Sequence, residues 1–167
     1  MKRIFVLLLL AAVMLSCGEK MSVEKINELE SKVFAKDAVV SAENVIQLVD
    51  AYLLFAKQNP NDQQTPEFLF KALDVAVGIN AEGPQKAIDI ADVLIEKYPD
   101  FEMTQMAMFV KGFVYENMIG DLQNAEMTYR QFIEKYPNSP IVEDVKATLE
   151  NLGLTPEELI RKFEEAN

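Results

Sequence analysis

The feature that most constrains the fold of this 167-residue chain is an internal repeat. The pentapeptide Ile-Glu-Lys-Tyr-Pro occurs at 95–99 and again at 133–137, a shift of 38 residues. Ala87 and Ala125 keep the same shift, each 12 residues before the proline of its copy. A third, degenerate copy ends at Pro60, 39 residues before the proline of the next copy. Because repeats of this length bury their apolar faces against neighbouring units, the repeat predicts a solenoid.

The hydrophobic pattern beyond Cys17 is helical. Apolar residues recur at spacings of three and four, and no sustained alternation of polarity indicates a strand. The pattern predicts an all-α chain with helices at 22–34, 41–58, 66–79, 84–98, 103–118, 122–135, 140–151 and 156–165. The short loops between them predict antiparallel helix pairs.

Three helix starts carry explicit signals. Thr65-Pro66, Ser139-Pro140 and Thr155-Pro156 each place a hydroxyl that can cap a helix before a proline at the first helical position. Glu158, three residues after Thr155, completes a predicted capping box. Gly153 is a stop signal for the preceding helix.

The best unit of the chain resembles the tetratricopeptide repeat, whose order of small and aromatic residues is matched by Gly112, Tyr115, Gly120, Ala125, Tyr129 and Pro137. The resemblance implies a right-handed solenoid of paired helices, A and B, closed by a C-terminal capping helix. It also implies purely packing roles for Ala87, Tyr98, Pro99, Gly112, Tyr115, Ala125, Tyr129, Tyr136 and Pro137. The family repeat has about 34 residues. We expect the extra residues of this chain in loops, one of them between Gly112 and Ala125.

The predicted organisation is a signal peptide (1–16), a tether (17–21), N-terminal helices with a degenerate half repeat (22–65), two repeats (66–137) and C-terminal capping helices (138–167).

The composition excludes several classes of function. The chain has no His, which removes Ser-His-Asp and Cys-His nucleophile pairs and every His-ligated metal site. One Cys permits neither an internal disulfide nor a Cys cluster. A net charge of −11 disfavours binding to nucleic-acid phosphates. We therefore expect no cofactor, no metal and no nucleic-acid partner, and we expect no enzymatic activity. The only enzyme class that the composition would permit is a hydrolase built on paired carboxylates.

The N-terminus reads as a secretory signal. Lys2 and Arg3 precede an apolar run from Ile4 to Leu15, which is too short to span a bilayer. The sequence Leu-Ser-Cys-Gly ending at Gly18 resembles the lipobox of bacterial lipoproteins, which implies acylation of Cys17, for example with palmitate. Because Gly18 is not Asp, the resemblance implies the outer membrane, facing the periplasm, with surface exposure left open. The alternative is a soluble protein cut earlier, with a free thiol.

A narrower resemblance adds an expected role. The string Phe-Ile-Glu-Lys-Tyr-Pro-Asn-Ser-Pro at 132–140, together with the lipobox, is similar to tetratricopeptide lipoproteins of Gram-negative outer membranes. These include the helical lipoprotein of the β-barrel assembly machinery, and the periplasmic coordinator of the Tol–Pal system shares part of the string. The C-terminal segment is similar to small lipoproteins of the Bacteroidota. The resemblance implies a protein-binding scaffold with a periplasmic or outer-membrane protein partner, in envelope or outer-membrane protein assembly.

If Gly112 matches the helix A glycine of the family, the partner groove consists of Met106, Phe109, Phe113, Glu116 and Asn117. These residues share one helical face. The alternative is that Phe109 and Phe113 are core residues, since apolar helical stripes are usually buried. The methionines concentrated in this hairpin allow the same two interpretations, an adaptable surface or core filler. They are Met103, Met106, Met108, Met118 and Met127.

A second candidate function is an accessory lipoprotein that binds a solute or glycan for an outer-membrane uptake system. Sugar sites usually stack rings on aromatic side chains, and the chain offers Tyr52, Tyr98, Tyr115, Tyr129 and Tyr136 but no Trp.

Overall fold

The computed structural model describes residues 20–36 and 40–165, and these residues form a stack of helical hairpins. Its α-helices are Val23–Phe34 (α1), Ala42–Gln58 (α2), Thr65–Val77 (α3), Gly83–Lys97 (α4), Thr104–Val114 (α5), Leu122–Lys135 (α6), Val142–Glu150 (α7) and Pro156–Glu165 (α8). A π-helical turn, Tyr115–Ile119, continues α5. From α1 to α7 each helix packs on the next, α3 also contacts α5, and the described residues contain no strand. The predicted all-α helical-repeat fold is confirmed. We call α1, α3, α5 and α7 the A helices, and the helices that follow them the B helices.

The turn that links one hairpin to the next has the same conformation three times. Asn59, Tyr98 and Tyr136 end their B helices with φ/ψ of −131°/57°, −129°/51° and −125°/55°. Each is followed by a proline, and each carbonyl oxygen accepts the amide three residues later at 3.0 or 3.1 Å. The degenerate first copy is therefore a structural repeat, and its helix A is α1.

The A helices after these turns begin at Thr65, Thr104 and Val142, each six residues after the turn residue Asn59, Tyr98 or Tyr136, and all three are buried. The Thr65 hydroxyl donates to the carbonyl of Asn59 at 2.6 Å, and the Thr104 hydroxyl donates to that of Tyr98 at 2.6 Å. The predicted capping role of Thr65 is therefore wrong. Its hydroxyl braces the preceding turn, and α3 begins without a side-chain cap.

The two other start signals have different outcomes. The capping box is confirmed, since the Glu158 amide donates to Thr155 Oγ1 at 3.2 Å and the Thr155 amide donates to Glu158 Oε2 at 2.8 Å. Ser139-Pro140 does not start α7, which begins at Val142. The Ser139 hydroxyl accepts only a long bond, 3.4 Å, from the amide of Ile141.

The expected loop insertion between Gly112 and Ala125 lies elsewhere. The helix widens into the π-helical turn Tyr115–Ile119, which ends at Gly120 in the left-handed conformation with φ of 76°. A π-helical turn accommodates one extra residue within a helix. The expectation that this residue lies in a loop is wrong.

The packed interior forms two clusters that follow the hairpins. The first runs from α1 to α5 and includes fully buried Leu48 and Ala87, which occupy the alanine position in the first two copies of the repeat. The second joins α5, α6 and α7 through Met108, Ala125, Tyr129, Phe132, Val142 and Val145. Ile95 and Tyr115 touch both clusters. Of the other predicted packing residues, Gly112 is buried, Tyr98 and Tyr136 are half-buried, and Pro99 and Pro137 are exposed in their turns.

The C-terminal cover is made by α7. Val142 and Val145 close the second cluster, whereas none of the α8 side chains that the structure describes belongs to a core cluster. Ile160 on α8 is 59% exposed. The helix is tied to the end of α7 by Lys162, whose Nζ donates to Asn151 Oδ1 at 2.7 Å. The apolar stripe of the predicted cap is therefore left partly open to solvent.

Candidate partner-binding groove

The predicted groove residues lie on α5 and its π-helical turn, and Tyr129 of α6 supports them. The Tyr129 ring is fully buried against Gly112. A Cβ at Gly112 would overlap Cε1 of that ring and lie 2.7 Å from Cδ1. Glycine at this position is therefore what lets α5 approach α6 with a tyrosine between them.

Glu116 is held by the same tyrosine. The Tyr129 hydroxyl donates to Glu116 Oε2 at 2.8 Å. Burial, together with this hydrogen bond, raises the pKa of Tyr129 above its ordinary value. Glu116 is half-buried, so its carboxylate has a fixed position at the end of α5.

The other predicted residues divide between core and surface. Phe109 is half-buried and packs on Tyr129 with ring centroids 6.0 Å apart, within the second cluster. Phe113 is 41% exposed, and Asn117 is exposed while its side-chain amide donates to the Phe113 carbonyl at 3.2 Å. Met106 is half-buried. The predicted set is thus one surface strip whose solvent-facing aromatic residue is Phe113.

Residues of α1, α2 and α3 form a cleft of about 330 Å³, lined by Glu30, Phe34, Tyr52, Lys71, Asp74 and Val75. Of these, the sequence reasoning singled out only Tyr52. Glu30 lies at its centre, since it accepts a hydrogen bond from the Tyr52 hydroxyl at 2.7 Å and pairs with Lys71 Nζ at 3.1 Å. Lys71 also pairs with Glu67 at 3.5 Å. Phe34 is 60% exposed.

The cleft and the strip lie on equivalent sides of successive A helices. Asp74 lies nine residues after Thr65, and Phe113 lies nine residues after Thr104, so the two occupy the same register position. We call the surface formed by the solvent-facing side of α3, α5 and α7 the A face. The pair Thr65 and Thr104 is the sequence signal that could have placed Asp74 beside the predicted strip.

The structure restricts the glycan interpretation. The rings of Tyr52 and Tyr129 are fully buried, so neither can stack on a sugar. Tyr98 uses its hydroxyl on the carbonyl of Pro60 at 2.8 Å. These three tyrosines stabilise the hairpins and their turns.

The methionines of this hairpin serve both purposes considered above. Met108 is buried in the second cluster, whereas Met127 on α6 is 51% exposed.

The carboxyl groups with displaced pKa values are capping groups. The pKa of Glu24, Asp121 and Glu158 is lowered, in each case first by a hydrogen bond from a backbone amide at the start of a helix. Within residues 20–36 and 40–165, no group of three or more His, Cys, Asp or Glu side chains could hold a metal ion.

Two predictions fall on residues 1–19. The signal peptide (1–16) and the lipidation site Cys17 lie outside the described residues. In the described part of the chain, no helix is long and apolar enough to cross a membrane.

Comparison with known families gives one match. The sequence model of the tetratricopeptide repeat matches residues 106–139, from the first turn of α5 through α6 and into the turn before α7. Comparison with curated proteins gives no significant match. The matched span contains Gly112 and Tyr129, and the repeat it identifies is generally a protein-interaction module without enzymatic activity.

Proposed function

We propose that the chain is a lipid-anchored scaffold of the cell outer membrane that binds a protein partner on its A face. The observation that carries the binding proposal is Phe113, an aromatic side chain that is 41% exposed on a helix of the matched repeat. Aromatic anchors contribute a large share of the affinity at protein interfaces.

The support beneath Phe113 favours binding. Two residues after Phe113 is Tyr115, which touches both core clusters. Directly before Phe113 is Gly112, which packs against the ring of Tyr129. Phe113 is therefore presented by a backbone that cannot shift without disturbing the interior. Rigid presentation lowers the ordering cost of binding.

Capture of the partner from detergent-solubilised envelopes tests the binding proposal. Phe113→Glu should lose a stoichiometric protein partner that the wild type recovers. Met127→Glu is the matched control, because Met127 is an exposed apolar residue on helix B of the same hairpin. Equal recovery by wild type and both variants would remove the A face from the function.

The anchor proposal rests on the sequence around Cys17. Two or three acyl chains there would hold a protein on a bilayer, whereas one would not. The Met21 amide donates to Gln58 Oε1 at 2.7 Å, at the end of α2 beside the first inter-hairpin turn. The four residues that follow Cys17, up to and including Met21, can span at most about 14 Å between the anchor and this hydrogen bond. We therefore propose that this edge of the solenoid lies close to the membrane.

Fractionation tests the anchor. The wild type should incorporate a labelled palmitate analogue and sediment with outer-membrane vesicles. Cys17→Ala should lose the label and appear in the soluble periplasmic fraction. A variant that stays with the membranes as the wild type does would contradict lipid anchoring.

The proposed pathway is envelope or outer-membrane protein assembly, supported by the similarity of residues 132–140 to outer-membrane tetratricopeptide lipoproteins. The identity of the captured partner decides it. An outer-membrane β-barrel protein or an assembly factor supports the proposal, and a cytoplasmic protein contradicts it.

A further inference from the structure

We propose that the segment bound on the A face carries an apolar residue flanked on both sides by Lys or Arg. This inference rests on the proposed function and names the chemistry of the partner. It follows from three observations, namely which side chains share a register position, which acids are unpaired, and where the cations of the repeats lie.

The first observation concerns register. The residues two positions after the buried helix starts are Glu67 on α3, Met106 on α5 and Asp144 on α7. Because the three helices follow the same turn, these side chains occupy equivalent positions on successive A helices. The apolar side chain on α5 therefore has a carboxylate at the equivalent position of the A helix before it and of the A helix after it.

The second register position gives a similar arrangement. Nine residues after the helix starts are Asp74, Phe113 and Asn151, the last at the end of α7. The central helix again presents an apolar group, with an acid on one side and an amide on the other. The A face thus has an apolar middle and acidic edges.

The second observation is that these edges include unpaired acids. In the part of the chain that the structure describes, the carboxylates of Asp74 and Asp144 have no hydrogen bond or ion pair, and both residues are exposed. The cation nearest to Asp74 along α3 is Lys71, and it is shared between Glu30 and Glu67. A cation from a partner would meet Asp74 and Asp144 without competing for them with a cation of the chain, whereas at Glu67 it would share the carboxylate with Lys71.

The third observation is that the cations of the repeats lie mostly elsewhere. The B helices α2, α4 and α6 carry both signs interspersed, with Lys57, Lys86, Lys97, Arg130 and Lys135 among their acids. On α5 and α7, Lys111 pairs with Asp92 of α4, and Lys146 pairs with Glu143. Acids outnumber cations six to three on α3, α5 with its π-helical turn and α7, and seven to five on α2, α4 and α6. These A helices therefore carry the smaller share of cations, and their unpaired acids are complementary to a cationic segment.

The geometry suggests the spacing of the partner residues. Packed helices lie about 8–10 Å apart, and an extended chain advances about 3.3 Å per residue. A segment that crosses the A helices should therefore place its cations about three residues before and after its apolar anchor.

Binding of synthetic peptides to the full chain tests the inference. The probe is a fluorescently labelled peptide with Phe at its centre, Lys three residues away on each side, and Ser and Gly elsewhere. We expect it to bind, and we expect added salt to weaken it. A peptide with Glu in place of Lys, or Ser in place of Phe, should not bind.

Two matched variants distinguish the effect of the acids on the A face from the effect of the overall negative charge of the protein. The A-face variant is Glu67→Gln, Asp74→Asn and Asp144→Asn, and the control is Asp89→Asn, Glu96→Gln and Glu134→Gln on the B helices. Both change the net charge equally, and all six residues are exposed. The A-face variant should weaken binding of the Lys peptide about tenfold, and the control less than about twofold.

The outcomes distinguish this inference from the function on which it rests. Equal weakening by both variants, no binding of the Lys peptide to the wild type, or equal binding of the Glu peptide would overturn the cationic partner. If Phe113→Glu still loses the captured protein in that case, the scaffold function stands. If Phe113→Glu and Met127→Glu both keep it, binding on the A face fails, and if the wild type recovers no partner at all, the scaffold function itself fails.

Discussion

The hairpins α3–α4 and α5–α6 are each preceded and followed by inter-hairpin turns of the same conformation. They distribute their buried side-chain volume between helix A and helix B in opposite ways. At equivalent positions, the first has Leu73 on helix A and Ala91 on helix B, whereas the second has Gly112 and Tyr129. All four residues are buried. The large residue moves from one helix to the other while the backbone arrangement stays similar. The repeat therefore preserves the filling of the space between the helices rather than the residue at each position.

The exchange also introduces a polar link. Tyr129 has a hydroxyl, which binds Glu116, whereas the position of Glu116 in the first hairpin is occupied by Val77. On the A face, Asp74 of the first hairpin is replaced by Phe113 in the second. The surface suited to binding thus arises where the second hairpin departs from the first.

The largest expected effect comes from breaking the exchange. Tyr129→Ala should lower the free energy of unfolding by about 3–5 kcal/mol, because it leaves a cavity beside Gly112. Gly112→Leu should cost about 3 kcal/mol, because the buried ring cannot move aside. The double variant imitates the first hairpin. Its loss in free energy of unfolding should be about 2 kcal/mol smaller than the sum of the losses of the two single variants. Urea unfolding measures all three.

A matched control is Leu54→Ala on α2, an exposed apolar residue that should change stability by about 0.5 kcal/mol or less. Strict additivity of the two core substitutions would contradict the idea that Gly112 and Tyr129 share one packing site.

Alkaline pH should distinguish the tyrosine-containing hairpin. The folded-state pKa of Tyr129 is raised above its ordinary value of 10.0. The contribution of Tyr129 to the free energy of unfolding is therefore fully present below pH 10.0, the pKa of tyrosine in the unfolded chain. Above it the unfolded chain loses the proton first, and stability falls by up to about 1.4 kcal/mol per pH unit. Tyr129→Phe should therefore lose stability less steeply than the wild type between neutral pH and pH about 11. Parallel curves would show that Tyr129 titrates normally when folded.

A smaller effect compares the second and third inter-hairpin turns, which contain Tyr98 and Tyr136. The Tyr98 hydroxyl donates to the Pro60 carbonyl at 2.8 Å, whereas the Tyr136 hydroxyl is buried and has no partner among the residues that the structure describes. Tyr98→Phe should cost about 1 kcal/mol, while Tyr136→Phe should be neutral or slightly stabilising. Equal losses in urea unfolding would mean that the two turns are stabilised alike.

The smallest expected effect concerns the threonines that brace the turns. Thr104→Val removes the hydrogen bond to the Tyr98 carbonyl and should cost about 0.5–1 kcal/mol. The cost stays low because that carbonyl still accepts the amide of Phe101 at 3.1 Å. The third repeat already has Val142 at this position. A loss several times larger in thermal unfolding would show that the hydroxyl is essential to the turn.

Much of the fold could be predicted from the sequence because its signals are local. The apolar period placed the helices of the described residues within about two residues of their observed ends when the π-helical turn is counted with α5, and the identical pentapeptides marked two equivalent turns. Thr65 was misassigned because a hydroxyl before a proline can cap the next helix or brace the previous turn. The choice depends on the conformation of Asn59.

The site could be predicted only in part, because its remaining features depend on contacts between helices. The helical period puts Phe109 and Phe113 on one stripe, but only the packing of Tyr129 separates a half-buried ring from an exposed one. The hydrogen bond from Tyr129 to Glu116 depends on the π-helical turn, which has no pattern in the sequence. The exposure of the apolar side of α8 depends on how the helix is held at the end of α7, here by Lys162, which its own amphipathic pattern does not specify.

The most direct test of the central claim is site-specific photocrosslinking in living cells of the natural host. A photoreactive amino acid at position 113, on the A face, is compared with the same amino acid at position 127 on helix B. Our account predicts one discrete protein adduct from position 113 and none from position 127. An adduct from position 127 alone, or the same adducts from both positions, would contradict binding on the A face.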